Sequence, residues 1–252
     1  MTITLSGEPF IAYVLAGIRV LAWLMIVPPF SSRAVPATAK ALLAVGLALA
    51  VAPTLGMTSV PQDGMQLAGF AVQEALLGAT MGFATFLLFA AVQAAGDLID
   101  VFGGFSLAMA FDPLSFHQNS VFGKLYYMLA MMLLFATDAH LLVIGGLLRT
   151  FEQMPVGTLW QVGDVTQVIT AAFGVFFTSA VQIALPLIGV LFVADLGLAL
   201  LTKVAPQLNA IGIMFPAKIG LTLLIVGLSF PVLPQAVERL VEAASDAMGA
   251  IG

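Results

Sequence analysis

Between Asp164 and Asp195 the chain runs VTQVITAAFGVFFTSAVQIALPLIGVLFVA without a single charge. About 20 such residues cross a bilayer as a helix, so this stretch is long enough to span one. Five further apolar stretches pass the same test: residues 9–30, interrupted by Arg19; 41–62; 75–96; 125–148, interrupted by Asp138 and His140; and 219–237. The expected architecture is all-α, a single domain over 1–252 of apolar helical hairpins with about six hydrophobic segments. Counting Lys and Arg in the short connections for six spans puts five on one side and two on the other, which favours an outside amino terminus. The start MTITLSGEPF lacks a basic n-region and a cleavage site leading into a polar domain, so the first apolar helix is expected to be retained.

Glycine and proline set how such helices pack and break. GATMG, Gly78 to Gly82, has the small-xxx-small spacing that lets two helix backbones approach closely. Pro53, Pro186, Pro206 and Pro216 fall inside apolar stretches, where each removes a backbone donor and is expected to kink or end its helix. VAPTL at 51–55 recurs as VAPQL at 204–208, which reads better as two Pro-capped turns than as an internal repeat, because nothing around them matches.

Composition narrows the function classes. The chain is 61% apolar and 8% charged with net charge −5 and mean hydropathy +1.11, so lipid or other apolar helices must surround it. Its eight cations are scattered and outnumbered by 13 acids, which argues against nucleic acid as a partner. Zero cysteines remove disulfides, thiolate metal sites and Cys nucleophiles, and two histidines, His117 and His140, make a transition-metal site improbable. With no HExxH and no Ser at nucleophile-elbow spacing, the chain is not read as an enzyme, and no cofactor is expected.

Two stretches depart from an ordinary membrane helix. Residues 97–124 hold three acids and one cation yet also five phenylalanines, with Gly103 and Gly104 free to adopt unusual backbone angles and Asp112 pushed out of the helical region by Pro113. A helix is expected to break near Asp112. Phe102, Phe105 and Met109 lie three and four apart, as a core-facing stripe would; alternatively a glycine-hinged loop tipped with Phe and Met obstructs a pore, since apolar constrictions expel water. Asp97 and Asp100 share a helix face at the end of an apolar run, which fits a water boundary better than a proton relay. Residues 195–218 contain an uncharged run too short to span, with Pro206, Gln207, Asn209 and Pro216 between Lys203 and Lys218; it reads as a hairpin tip.

Arg19, central in an apolar run, costs at least about 2.5–3.5 kcal/mol in lipid and must face a partner or water, with Glu74 and Asp97 as available acids. Asp138 and His140, two apart, cannot share a helix face. The tail 235–252 puts Val237, Leu240, Val241, Ala244, Met248 and Ile251 on one face of an amphipathic helix whose charges sum to −2, so it is expected to pack on protein rather than on anionic lipid.

Taken in order, RVLAWLMIVPPFSSRAVPATAKALLA (19–44), FDP (111–113), the His140 segment, FEQMPVG (151–157), ALPLI (184–188) and ADLGLALLTKVAPQLNAIGIMFPAKIGL (194–221) resemble the FliR family, called SctT in injectisomes, of the type III export gate. The last segment is the most specific. Relatives often carry Asn or Gly where Asp138-Ala139 stands here. The resemblance implies a structural, pore-forming subunit conducting unfolded flagellar or injectisome proteins across the bacterial inner membrane, at the flagellar basal body or injectisome base. It implies assembly with FliP and FliQ homologues, with FlhB and FlhA homologues as neighbours, and a helical cone lying largely above the bilayer plane. It also implies a loop sealing the closed gate, matching residues 103–119, with Phe105, Met109, Phe111, Asp112, Pro113 and Phe116 as the plug. A small-molecule secondary transporter, motivated by Arg19, Asp97, Asp100 and the Pro-broken helices, is the alternative.

Overall fold

The computed structural model describes residues 7–28, 30–52, 63–105, 120–159, 162–204 and 210–249. They form eight α-helices: α1 (Gly7–Ile26), α2 (Ala37–Val51), α3 (Gly64–Gly103), α4 (Val121–Ala136), α5 (Ala139–Gln153), α6 (Val162–Val204), α7 (Ala210–Ser229) and α8 (Leu233–Gly249). A 3₁₀ turn at Phe230–Val232 joins the last two. Most described residues of each apolar stretch are helical, and no strand occurs among the described residues.

The boundaries differ from the hydropathy reading for local reasons. The described part of the 41–62 stretch belongs to the 15-residue α2, which starts at Ala37 after Pro36 and ends at Val51, while residues 53–62 lie outside the described residues. The 125–148 stretch is two helices, because Asp138 stands at φ 55 between α4 and α5. Among the described residues four helices are long and apolar enough to cross a membrane, or five if α4 and α5 form one broken span. The six-span charge count therefore does not carry the orientation. Pro186 and Pro216 do not end helices: both lie inside continuous ones, α6 and α7. Conversely α3 stops at Gly103, before Asp112, and Gly104 follows at φ 83. Pro206 and Asp112 lie outside the described residues, as does most of both VAP segments.

Contacts divide the chain into two compact units, Met1–Leu88 with Thr137–Val175 and Val241–Gly252, and Phe89–Ala136 with Phe176–Leu240. In the first, α1 buries Ala12, Leu15, Ala16, Val20, Trp23 and Leu24, the three-and-four spacing of one helix face, while Phe10, Val14, Leu21 and Met25 stay exposed on the other. Ala139, Val143, Leu147 and Phe151 repeat every four residues as the buried stripe of α5. The Tyr13 hydroxyl donates to the Val45 carbonyl at 3.1 Å, tying α1 to α2. In the second unit Phe122, Tyr126, Ala130 and Leu134 form the buried stripe of α4, and Ala180, Ala184, Leu187 and Leu191 that of α6.

At about 1.5 Å per residue, the 40-residue α3 and the 43-residue α6 are each roughly 60 Å long, twice the hydrocarbon thickness of a bilayer. They differ in cover: 67% of the apolar window of α3 is buried within the chain, against 17% for α6.

Asp138 is the only non-glycine residue at positive φ among the described residues. Gly and Asn are the residues such a position favours. Asp138→Gly is expected to leave stability within about 0.5 kcal/mol, whereas Asp138→Val, β-branched at a left-handed position, costs about 1–2 kcal/mol. Thermal unfolding of the two variants in detergent checks this.

Candidate functional site

The first unit is organised around Arg19, which is 1% exposed. Its Nε donates to Glu74 Oε2 at 2.6 Å, forming an ion pair with a residue itself only 3% exposed. Its Nη1 donates to the Met154 carbonyl at 3.0 Å and, more weakly, to the Thr150 carbonyl at 3.4 Å. These carbonyls belong to the carboxyl end of α5, where the helix dipole presents negative charge. The guanidinium also stacks 4.3 Å over the Phe151 ring. Of the two acids offered by the sequence, Glu74 is the partner.

The pairing depends on backbone proximity. Glu74, Gly78 and Gly82 repeat every four residues on one face of α3. A Cβ at Gly78 would collide with the Arg19 carbonyl, and one at Gly82 would lie 3.1 Å from both the Trp23 carbonyl oxygen and the Ile26 Cβ. The small-residue pair is thus where α3 closes on α1. FEQMPVG, an apparently featureless segment, supplies the other side: Phe151 lies under the guanidinium and Met154 gives its carbonyl. Gly157 then turns the chain at φ 81, and Gln73 Nε2 donates to the Thr158 carbonyl at 2.8 Å.

In the second unit the two aspartates have different roles. Asp100, 4% exposed, reaches the amino end of α4: the Ser120 hydroxyl donates to its carboxylate, and the Phe122 N–H donates to Oδ2 at 3.2 Å. Ser120 Oγ in turn accepts the Gly123 N–H at 2.7 Å, the side-chain cap of a helix start. Asp97, half-buried, lies against Gly123, where an added Cβ would strike its carboxylate. A Cβ at Gly96 would strike the Phe122 carbonyl, so α3 and α4 also meet backbone to backbone. These carboxylates cap and pack a helix start, and Asp100 is buried there.

Gly103 and Gly104 bring the end of α3 against α7. A Cβ at Gly103 would lie 2.8 Å from Thr222 Cγ2, and one at Gly104 3.6 Å from Lys218 Cδ. Lys218 Nζ donates to Asp195 Oδ2 at 2.8 Å, an ion pair across the α6–α7 hairpin. Phe105 packs edge-on against Phe122 with ring centroids 4.9 Å apart. Both flanks of residues 106–119 are therefore anchored, one on α4 by Phe105 against Phe122 and the other on α3 by Ser120 against Asp100. Met109, Phe111, Asp112, Pro113 and Phe116 lie outside the described residues, as do Pro206, Gln207 and Asn209. Lys203 is exposed in the last turn of α6, Pro216 is exposed within α7, and His140 is half-buried in the first turn of α5. Among the described residues no group of three or more His, Asp or Glu side chains converges as a metal would require.

Sequence reasoning missed the α5 carbonyls, Ser120 and the Asp195–Lys218 pair. For the last a signal existed: Asp195 lies nine residues before the end of α6 and Lys218 eight after the start of α7, so an antiparallel hairpin sets them level.

Arg19→Met leaves Glu74 buried without its counter-charge and is expected to cost about 3–5 kcal/mol. Arg19→Met with Glu74→Leu should recover most of that loss, because no charge is then stranded. Unfolding midpoints of wild type, single and double variants in one detergent decide it; equal loss in single and double variants would contradict the pairing.

A family model for bacterial export proteins, family 1, matches residues 10–244, nearly the whole chain. The chain is 36% identical over 191 residues to the flagellar biosynthetic protein FliR of Escherichia coli (strain K12), covering 76% of this chain and 73% of that one. It is 30% identical over 234 residues to FliR of Pectobacterium carotovorum subsp. carotovorum, covering 93% and 90%. To FliR of Bacillus subtilis (strain 168) it is 31% identical over 202 residues, covering 79% and 78%. An apolar all-helical chain whose first and third helices close on a buried ion pair, it belongs to the FliR family of bacterial export proteins.

Proposed function

We infer that this protein is a structural, pore-forming subunit of a type III export gate that conducts unfolded flagellar proteins across the bacterial inner membrane. It assembles there with FliP and FliQ homologues at the flagellar basal body, with FlhB and FlhA homologues beside it. The observation carrying this reading is α6, an apolar helix of roughly 60 Å of which only 17% of the apolar window is covered by its own chain. Lipid can cover about half of such a length, and the rest requires other apolar protein surface. The curated relatives reported above are all flagellar proteins, which favours the flagellum over the injectisome.

The transporter alternative rests on Arg19, Asp97, Asp100 and Pro-broken helices, and Pro186 and Pro216 lie inside continuous helices. Arg19 is engaged by Glu74 and two carbonyls, and Asp100 by Ser120 and the Phe122 N–H, so neither is available to bind a solute. Residues 103–119 act as the plug. One flank is fixed on α4 by Phe105 against Phe122 and the other on α3 by Ser120 against Asp100, and the intervening Met109, Phe111 and Phe116 supply the apolar groups that expel water from a constriction.

Purified in mild detergent from cells carrying the whole system, the tagged chain should bring other membrane subunits with it; recovery of the chain alone would overturn the assembly reading. Deleting residues 105–116 should leave assembly intact and raise ion conductance of the reconstituted complex severalfold. Conductance unchanged from wild type would remove the plug from this position.

A further inference from the structure

The amino end of α2 carries no side-chain cap, because its N-cap residue is Pro36. The Ala39 and Lys40 N–H groups both donate to the Pro36 carbonyl, at 3.0 and 3.2 Å, which leaves the Ala37 and Thr38 N–H groups without an acceptor among the described residues. Ala37 and Thr38 are exposed, so a ligand can reach these donors. In the same first turn Lys40 opens the buried stripe that continues as Ala44, Ala48 and Val51, and it is itself only 8% exposed. Its ammonium makes no ion pair and no hydrogen bond among the described residues. Helical side chains tilt toward the amino end and lie over the turn before their own, so the Lys40 stem runs back toward the two free N–H groups.

A cation in the first turn opposes the helix dipole, and a largely buried one with no counter-charge is costly, so the position favours an anion beside it. Arg33 adds a second cation. It stands exposed at the corner of the turn closed by the Val35 N–H on the Ser32 carbonyl at 3.2 Å, and no acid pairs with it among the described residues. The donors available to one anion are thus two main-chain N–H groups, the Thr38 hydroxyl, an ammonium and a guanidinium. A carboxylate meets such a set with two oxygens in one plane, whereas the tetrahedral oxygens of a phosphate face donors from several directions. We propose that the amino end of α2 is a phosphate-binding site, in which the Ala37 and Thr38 N–H groups donate to the phosphate and Lys40 and Arg33 supply the charge. The turn follows directly on α1, a helix long and apolar enough to cross a membrane, so a lipid headgroup is one source of that phosphate and dissolved phosphate the other.

The test uses the intact complex purified in detergent with its partner subunits. Native mass spectrometry should show phosphatidylglycerol retained on this chain, which identifies a headgroup as the source, or inorganic phosphate bound once lipid is removed, which identifies dissolved phosphate. Lys40→Gln and Arg33→Gln, the second an exposed substitution, should each weaken that retention about tenfold while assembly is unchanged. Retention of neither ligand, or retention that neither substitution alters, would overturn the proposal. A carbodiimide-formed amide between Lys40 and an acidic residue of a neighbouring subunit would overturn it equally, since a protein carboxylate would then occupy the site. Bound mass is the readout and not export, so failure here leaves the proposed function untouched.

Discussion

A guanidinium in the middle of an apolar helix is tolerable only where every strong donor finds an acceptor and the charge finds its opposite. Arg19 has three such partners drawn from two other helices, reached through Nε and Nη1: the Glu74 carboxylate on α3, and the Thr150 and Met154 carbonyls at the end of α5. The Phe151 ring covers a guanidinium face. The first unit is consequently specified at one point by polar geometry, whereas the greasy stripes around it would tolerate many registers. Such an arrangement contributes little net stability compared with a well-packed apolar substitute, but losing one member is costly. Its main effect is to fix which residues of α1, α3 and α5 stand level.

The same logic recurs in the second unit at lower charge. Asp100 satisfies the amino end of α4 from outside that helix, and Gly96 and Gly123 permit the contact. A buried helix start without such a partner would carry unsatisfied N–H groups, each costing about 1–3 kcal/mol. In both units, then, glycine removes side-chain bulk at the place where a carboxylate on α3 reaches another helix.

Much of this was legible in the chain. Apolar runs located the helices, because hydropathy integrates over many residues. The Gly78–Gly82 spacing identified a close contact, and a lone Arg beside few acids narrowed its partner to two. What could not be read was anything fixed by main-chain atoms. The acceptors for Arg19 are carbonyls 131 and 135 residues away, and a carbonyl leaves no mark in sequence. The fate of Pro186 was equally hidden: proline inside apolar runs reads as a break, yet packing kept α6 continuous through it. Asp100 read as a boundary residue because the number of charges, and not the position of a neighbouring helix start, was the only information available.

The distance along the chain between Arg19 and its acceptors has a consequence for biogenesis. A ribosome adds about 5–20 residues each second, so Glu74 emerges roughly 3–11 s after Arg19, and the α5 carbonyls roughly 7–27 s after it. Throughout that interval the nascent first helix carries a permanently charged group with no counterpart, and lipid offers it no refuge except the headgroup zone. The amino-terminal helix must therefore wait at the membrane surface, or in the grip of the insertion machinery, until the middle of the polypeptide has been made.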